Sequence, residues 1–331
     1  MTIHTSDPER YQSVRDGVGS VLLERGVLRL TGADRLDLLH RLSTADLNKL
    51  RPGGEGTTIL TTEKGRIIDQ LRVVVADDHL LIVTQGPSEP VAAWLEKYTI
   101  MDDVVTTMVD SEYSVIGIYG DRVKGVVAST MNVDVPESGS TAIAEHGEVV
   151  LREPGINGPG GVLVIVPSVV AASLSERLRS ANVVPLDTGT YQVMRIEAGQ
   201  PAFGSELSDD ANPLEVGLSS FISFTKGCYI GQEVIARLDS YDKVKQHLMG
   251  IRIADGLPTD GIGDGELVVR DIISYDVIGR VTSLATSPAI GDIGLGIIRT
   301  AHANPDVSIV LTRAGDDGQL ASGRLSLLPF A

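Results

Sequence analysis

The stretch Lys226-Gly227-Cys228-Tyr229-Ile230-Gly231-Gln232-Glu233 is the one around which the chain reads most clearly. It holds the only cysteine of the 331 residues. A cation near a thiol favours the thiolate, the better nucleophile and metal ligand, and Lys226 stands just before Cys228. Gly227 and Gly231 flank the thiol with residues that allow unusual backbone angles or close approach to another group. A lone cysteine is often only a small buried hydrophobe. Burial alone needs no lysine, no paired glycines and no Gln232-Glu233. The octapeptide therefore points to a working thiol: Cys228 as the reactive group, Lys226 as the cation beside it, and Gly227, Tyr229, Gly231, Gln232 and Glu233 as their frame.

The remaining composition narrows the class. At about 150 residues per domain, this length allows two or three domains. Hydrophobic residues make up 42% and glycines number 36, as in a compact protein with many turns. A net charge of -16 with no basic run excludes a phosphate-backbone binder, so direct nucleic-acid contact is not expected. One cysteine rules out an internal disulfide framework and any zinc site of several thiolates, so no metal site is expected from this chain alone. The segment Met1 to Arg10 is polar, and no apolar run approaches the ~20 residues of a membrane span. A cytoplasmic protein without a membrane partner is the expectation.

Along the chain, Val27 to Leu30 alternates as a strand, and Thr31-Gly32-Ala33-Asp34 turns into a helix from Arg35 to Leu42. His40 has no ligand-spaced partner and reads as an ordinary helix residue. Thr57 to Thr62, Arg66 to Ala76 and Leu80 to Thr84 predict an antiparallel meander, and Pro90 to Tyr98 a helix with Trp94 on its apolar side. Further strands are expected at Ser114 to Tyr119, Gly147 to Leu151 and Gly161 to Val166, then a helix from Val169 to Ser180. Asp187 to Gly199 reads as a helix capped by Asp187 or Thr188 and stopped by Gly199. Glu197 in its last turn opposes the helix dipole, so it is either solvated or compensated by a neighbour. From Leu248 onward five short strand-like runs, the last ending at Thr312, predict a small antiparallel barrel. Helices and strands mix without strict alternation, and no dinucleotide fingerprint is present, so the class is α+β.

Ile222-Ser223-Phe224-Thr225 before the octapeptide and Ala236-Arg237 after it complete a pattern that resembles the signature of the YgfZ family, folate-binding relatives of the glycine-cleavage aminomethyltransferase, the T-protein. Leu30 to Asp34, Arg195 to Gly199 with Pro201 and Gly204, and Ile278 to Ser283 with Ser287-Pro288 are similar to other parts of that superfamily. The resemblance implies a three-lobed ring: two interleaved α+β lobes over residues 1–244, a C-terminal antiparallel β-barrel over 245–331, and a central opening that holds tetrahydrofolate or a derivative. It places Tyr191, Arg195, Glu197, Asp69, Gln70 and Arg25 near the cofactor. Three positions depart from the aminomethyl-transferring branch. Its paired acids read Asp69-Gln70, its pterin-binding glutamate in the segment Gly158 to Val164 reads Leu163, and its folate-contacting arginine reads Tyr191, where YgfZ proteins carry an aromatic.

A neutral amide at Gln70 cannot take up a proton or balance a developing positive charge as a carboxylate does. YgfZ resemblance implies a tetrahydrofolate-binding protein that supports iron–sulfur cluster assembly or repair in other enzymes, tRNA-thiolating ones among them, with iron–sulfur client or assembly proteins as partners. The competing readings are a folate-dependent aminomethyltransferase or demethylase, and a folate-binding module whose cysteine is structural.

Overall fold

The computed structural model describes residues 2–153, 160–240, 243–257 and 265–330. Among these, seven α-helices are present: α1 (Pro8–Arg15), α2 (Arg35–Leu42), α3 (Ser88–Tyr98), α4 (Val123–Met131), α5 (Ser168–Ser180), α6 (Thr188–Glu197) and α7 (Gln232–Ser240). None is long and apolar enough to cross a membrane.

The first sheet runs Glu55–Thr61, Ile67–Val75, His79–Val83, Val27–Thr31, Val105–Met108, antiparallel throughout. Leu28 and Leu30 are fully buried, whereas Arg29 between them pairs with Glu112, as the alternation requires. In α2 the helical spacing of Leu38, Leu39 and Leu42 lays them on this sheet, and Val91 and Leu95 of α3 join the same core. Trp94 packs partly buried against it.

The second sheet has the order Val184–Pro185, Gly19–Leu23, Tyr113–Tyr119, Gly161–Pro167, Val149–Glu153, Ala142–Ile143. In its central strand Val162 to Val166 are all fully buried, because both faces are covered. Leu163 and Ile165 face one core, and Val162, Val164 and Val166 face another beneath α4 and α5. Gly19–Leu23 pairs directly with Tyr113–Tyr119. The whole first sheet is thus inserted between two neighbouring strands of the second, so the two lobes interleave.

Six antiparallel strands close into a barrel: Gln246–Ile253, Leu267–Asp271, Val277–Ser287, Gly291–Arg299, Ser308–Arg313 and Gln319–Ser326. The sixth was not expected from sequence; only Ala321, Gly323 and Leu325 turn inward, too sparse an apolar signal to stand out. Ile3–Thr5 pairs in parallel with Leu284–Thr286, so the chain's first strand lies on the barrel sheet. Helices α1, α4 and α7 were also not anticipated, although Asp7-Pro8 is a legible start for α1: Asp7 accepts from the amides of Glu9 and Arg10.

Candidate functional site

Where the three sheets meet lies a cavity of about 1660 Å³. Gln70, Arg25, Tyr191 and Arg195 stand at its wall, joined by Glu153 and Arg72. The pleat of Ile67–Val75 separates two neighbouring residues as expected. Gln70 reaches the cavity, while Asp69 turns to the other face and is 1% exposed. There Asp69 accepts from the amides of Gln70, Gln85 and Gly86 and holds the turn after His79–Val83. Burial pushes its carboxyl up to about 6, against the pull of those amides. Asp69 does not line the cavity wall and works as a brace behind it.

Helix α6 delivers the next three residues. Asp187 caps it by accepting from the Thr190 amide at 2.8 Å, and Gly199 ends it at φ +67°. Tyr191 sits half-buried at the wall, its ring 6.1 Å from that of Tyr119. Arg195 is held on every side. It donates to Gln192 Oε1, to the Gln200 carbonyl, to Glu206 at 3.2 Å and to Ser283 Oγ at 2.9 Å. Glu197 points away from the cavity. The Tyr11 hydroxyl donates to its two carboxylate oxygens at 2.8 and 2.9 Å, the Ser287 hydroxyl donates to it as well, and the Arg15 guanidinium lies 3.8 Å away. These groups are the compensation that a buried acid at a helix C-terminus requires. Glu197 therefore ties α1, α6 and the barrel together, and it does not line the cavity.

Arg25, on the link between Gly19–Leu23 and Val27–Thr31, interacts electrostatically with Tyr191, Glu153 and Tyr119. Leu163 is core, packed with Leu151 and Val149, and residues 158 and 159 of the segment expected around it lie outside the described residues. Sequence reading missed Arg72, Glu55 and Glu153. One signal was available: Arg72 is a lone charge in the apolar run Leu71 to Val75, and such a charge is rarely buried without a partner. It is 7% exposed and pairs with Glu55 at 2.9 Å and Glu153 at 3.1 Å.

The octapeptide lies apart from this cavity, since none of its residues lines the wall. Its geometry corrects the role expected of Lys226. The ammonium donates to the carbonyls of His40, Ser43 and Ala45 at 2.5, 2.6 and 2.7 Å and lies 4.9 Å from the centre of the Tyr229 ring. All three donors are engaged at the carbonyl end of α2, where a cation is favoured. Lys226 is a cap and an anchor, and it is not left free to serve the thiol. Burial lowers its pKa to about 8, so it remains charged at neutral pH.

Further along, the Ile230 amide donates to the Arg41 carbonyl at 3.2 Å and Thr61 Oγ1 donates to the Ile230 carbonyl at 2.8 Å. Gly231 adopts φ +86°, and a Cβ there would lie 2.6 Å from the Thr62 carbonyl, so only glycine fits. Gly227 shows neither a close neighbour nor a positive φ, and nothing in the structure explains it. Tyr229 is buried with Ile222 and Ile235, which pushes its hydroxyl up to about 12. Gln232 and Glu233 open α7, Gln232 partly buried and Glu233 exposed. Between these anchors Cys228 is exposed. The structure thus builds an arch fixed at both feet, with a thiol in solvent between them.

Comparisons with known proteins agree with this architecture. The aminomethyltransferase of Listeria monocytogenes serotype 4a is 28% identical over 303 residues, which is 88% of this chain and 81% of the relative. A putative chloroplastic transferase of Arabidopsis thaliana is 27% identical, covering 98% of this chain and 74% of its own length. The crystal structure of the glycine cleavage system aminomethyltransferase T from Bartonella henselae superposes with a TM-score of 0.84 at 18% identity, over 98% of this chain and 89% of that one. The family model described as the GCVT N-terminal domain matches residues 8–226. That family model covers about two thirds of the chain, and the chain therefore belongs to the GCVT N-terminal domain family, with the α+β fold of the T-protein.

Proposed function

We propose that this protein is a tetrahydrofolate-binding member of the YgfZ branch that supports assembly or repair of iron–sulfur clusters in client enzymes, with Cys228 as its working thiol. The observation that carries this reading is the exposure of Cys228 on an arch anchored at both ends. A core plug would be buried, whereas this sulfur is open to a macromolecular partner. One thiolate cannot hold a cluster, which takes about four ligands, so the remaining ligands belong to the client or to a carrier protein. Cys228 then acts in transfer, in repair or as one ligand at a shared interface.

The cavity supports the folate half of the reading. Arg25 Nη1 is buried there without a hydrogen bond, and Tyr191 offers a ring face, so the residues present suit a flat polar heterocycle. Tyr191, Arg25 and Gln70 would hold it. Bound tetrahydrofolate supplies a carrier of one-carbon units. Tyr191→Ala is expected to raise the dissociation constant for tetrahydrofolate roughly two- to tenfold through loss of a stacking surface. Calorimetric titration checks this, and an unchanged constant removes Tyr191 from the site.

A second reading, aminomethyl transfer, is favoured by the names of the relatives. Gln70 argues against it, because removing a carboxylate from a reacting centre costs charge stabilisation worth several kcal/mol. Two assays separate the readings. Expression of this chain in cells lacking their YgfZ protein should restore iron–sulfur enzyme activity. The purified protein, given an aminomethyl-lipoyl carrier and tetrahydrofolate, should release no ammonia; turnover on the order of 1 per second would establish the second reading instead.

A further inference from the structure

We propose that Asp69 is a positioning residue for the ligand of the cavity: from behind the wall its carboxylate sets the wall residues Gln70, Gln85 and Gly86, so that a proton added to it weakens ligand binding; this inference rests on the folate reading above. Asp69 itself does not line the cavity, yet every residue whose amide it accepts from does. Its Oδ1 takes the Gln70 amide at 2.7 Å and the Gln85 amide at 3.1 Å, and its Oδ2 takes the Gly86 amide at 3.1 Å and the Gln85 amide at 3.2 Å. The turn held in this way is tied to the rest of the wall as well. The Gly86 carbonyl accepts from the Gly26 amide at 3.0 Å and from the Thr84 hydroxyl at 2.5 Å, and Gly26 follows Arg25 in the wall. On the cavity's rim the Phe203 ring lies so close to Gly86 that a Cβ there would be 2.5 Å from it.

Both oxygens of the carboxylate are in use as acceptors, which only the ionised form provides in full. A proton on either one makes that oxygen a donor facing N–H groups. A buried amide left unmet is costly, so the turn shifts instead, and with it move the seat of Phe203 and the Arg25-Gly26 link. The surroundings of Asp69 do little to hold off that proton. Arg25, on the link after Gly19–Leu23, is the charged group that acts on it, Leu60 stands opposite it on Glu55–Thr61, and Gln85 and Gly86 bring only their amides. Burial outweighs the amides and Arg25 together, so the carboxyl titrates at about 6. A ligand that needs the wall in place binds the ionised form, and its apparent affinity falls with the fraction of that form.

The probe is 5-formyltetrahydrofolate, whose acylated N5 takes up no proton in the range used. Titration calorimetry of the full chain should show its dissociation constant rising about fourfold between pH 7.5 and pH 5.5, as the ionised fraction of Asp69 falls. Asp69→Asn keeps the size of the side chain but puts an NH2 where one acceptor was. It should bind the probe at least about fourfold more weakly than the parent at pH 7.5, with no such dependence on pH. A brace that served the fold alone would not tie affinity to this titration. If the variant does not fold, carbon-13 NMR of the parent labelled at its aspartate carboxyls decides: one signal should titrate at about pH 6 and move to its ionised position when the probe is added at that pH. A dissociation constant that is flat with pH in the parent, an undiminished pH dependence in a folded Asp69→Asn, or the lack of a probe-sensitive aspartate signal of this kind overturns the inference while leaving the folate reading intact. A parent that binds the probe at no pH overturns both.

Discussion

Cys228→Ser is expected to leave the protein folded and still able to bind tetrahydrofolate, while abolishing its support of iron–sulfur enzymes in cells lacking their YgfZ protein. The exposure of the residue sets the first half of this result. A serine hydroxyl placed there is solvated at once, so stability should stay within about 0.5 kcal/mol of the parent, as for surface substitutions generally. The second half follows from what sulfur alone provides, an easily ionised nucleophile and metal ligand. Three measurements belong together: a denaturant melt, a folate titration and the activity of an iron–sulfur enzyme in the complemented strain. Native protein should also take up a thiol alkylating reagent without denaturant. Full enzyme activity with the serine variant would make the thiol dispensable, and the reading of Cys228 would fall with it.

Lys226→Met should act in the opposite way, through the fold. Methionine keeps the length and apolar stem of the side chain and removes only the ammonium. The carbonyls of His40, Ser43 and Ala45 then lose a charged donor at a site where His40 and Ser43 are buried. Hydrogen bonds to charged groups contribute about 1.5–3 kcal/mol each and are not additive, so a total loss of about 2–4 kcal/mol is expected. The denaturation midpoint should fall, and protease should cut first in the freed arch near residues 224–230. If activity is lost, the loss should follow the amount of folded protein. A variant as stable as the parent but inactive would show that the ammonium does serve the thiol, contrary to the geometry.

Local patterns in the sequence were a good guide wherever the determining residues are neighbours. The leucines of α2, the Asp187 cap and Gly199 stop of α6, and the opposite facing of Asp69 and Gln70 follow from helical and strand periods that a chain displays openly. The octapeptide stands out in the sequence, yet the anchoring of Lys226 does not. Its partners are backbone carbonyls some 180 residues away, and every residue has a carbonyl, so no sequence pattern marks them. The corner of Arg25, Arg72 and Glu153 was silent for a related reason. Each charge lies in a different part of the chain, and only the meeting of two interleaved sheets brings them together. Ile3–Thr5 is too short to show a period at all.

The pairing of Ile3–Thr5 with Leu284–Thr286 bears on how the chain is made. The partner strand leaves the ribosome roughly 280 residues after the first, a delay of about 15–55 seconds at ordinary synthesis rates. During that interval Ile3–Thr5 can rest on α6 but has no strand to pair with. The inserted first sheet, by contrast, can complete its pairings as soon as Met108 is out. Order along the chain and order of pairing therefore differ: Ile3–Thr5 finds its strand partner only after the first sheet is complete, with Gly291–Arg299, Ser308–Arg313 and Gln319–Ser326 still to be made. A chain that stalls before Leu284 leaves the edge of Ile3–Thr5 unpaired, and unpaired segments of this kind are where proteolysis concentrates.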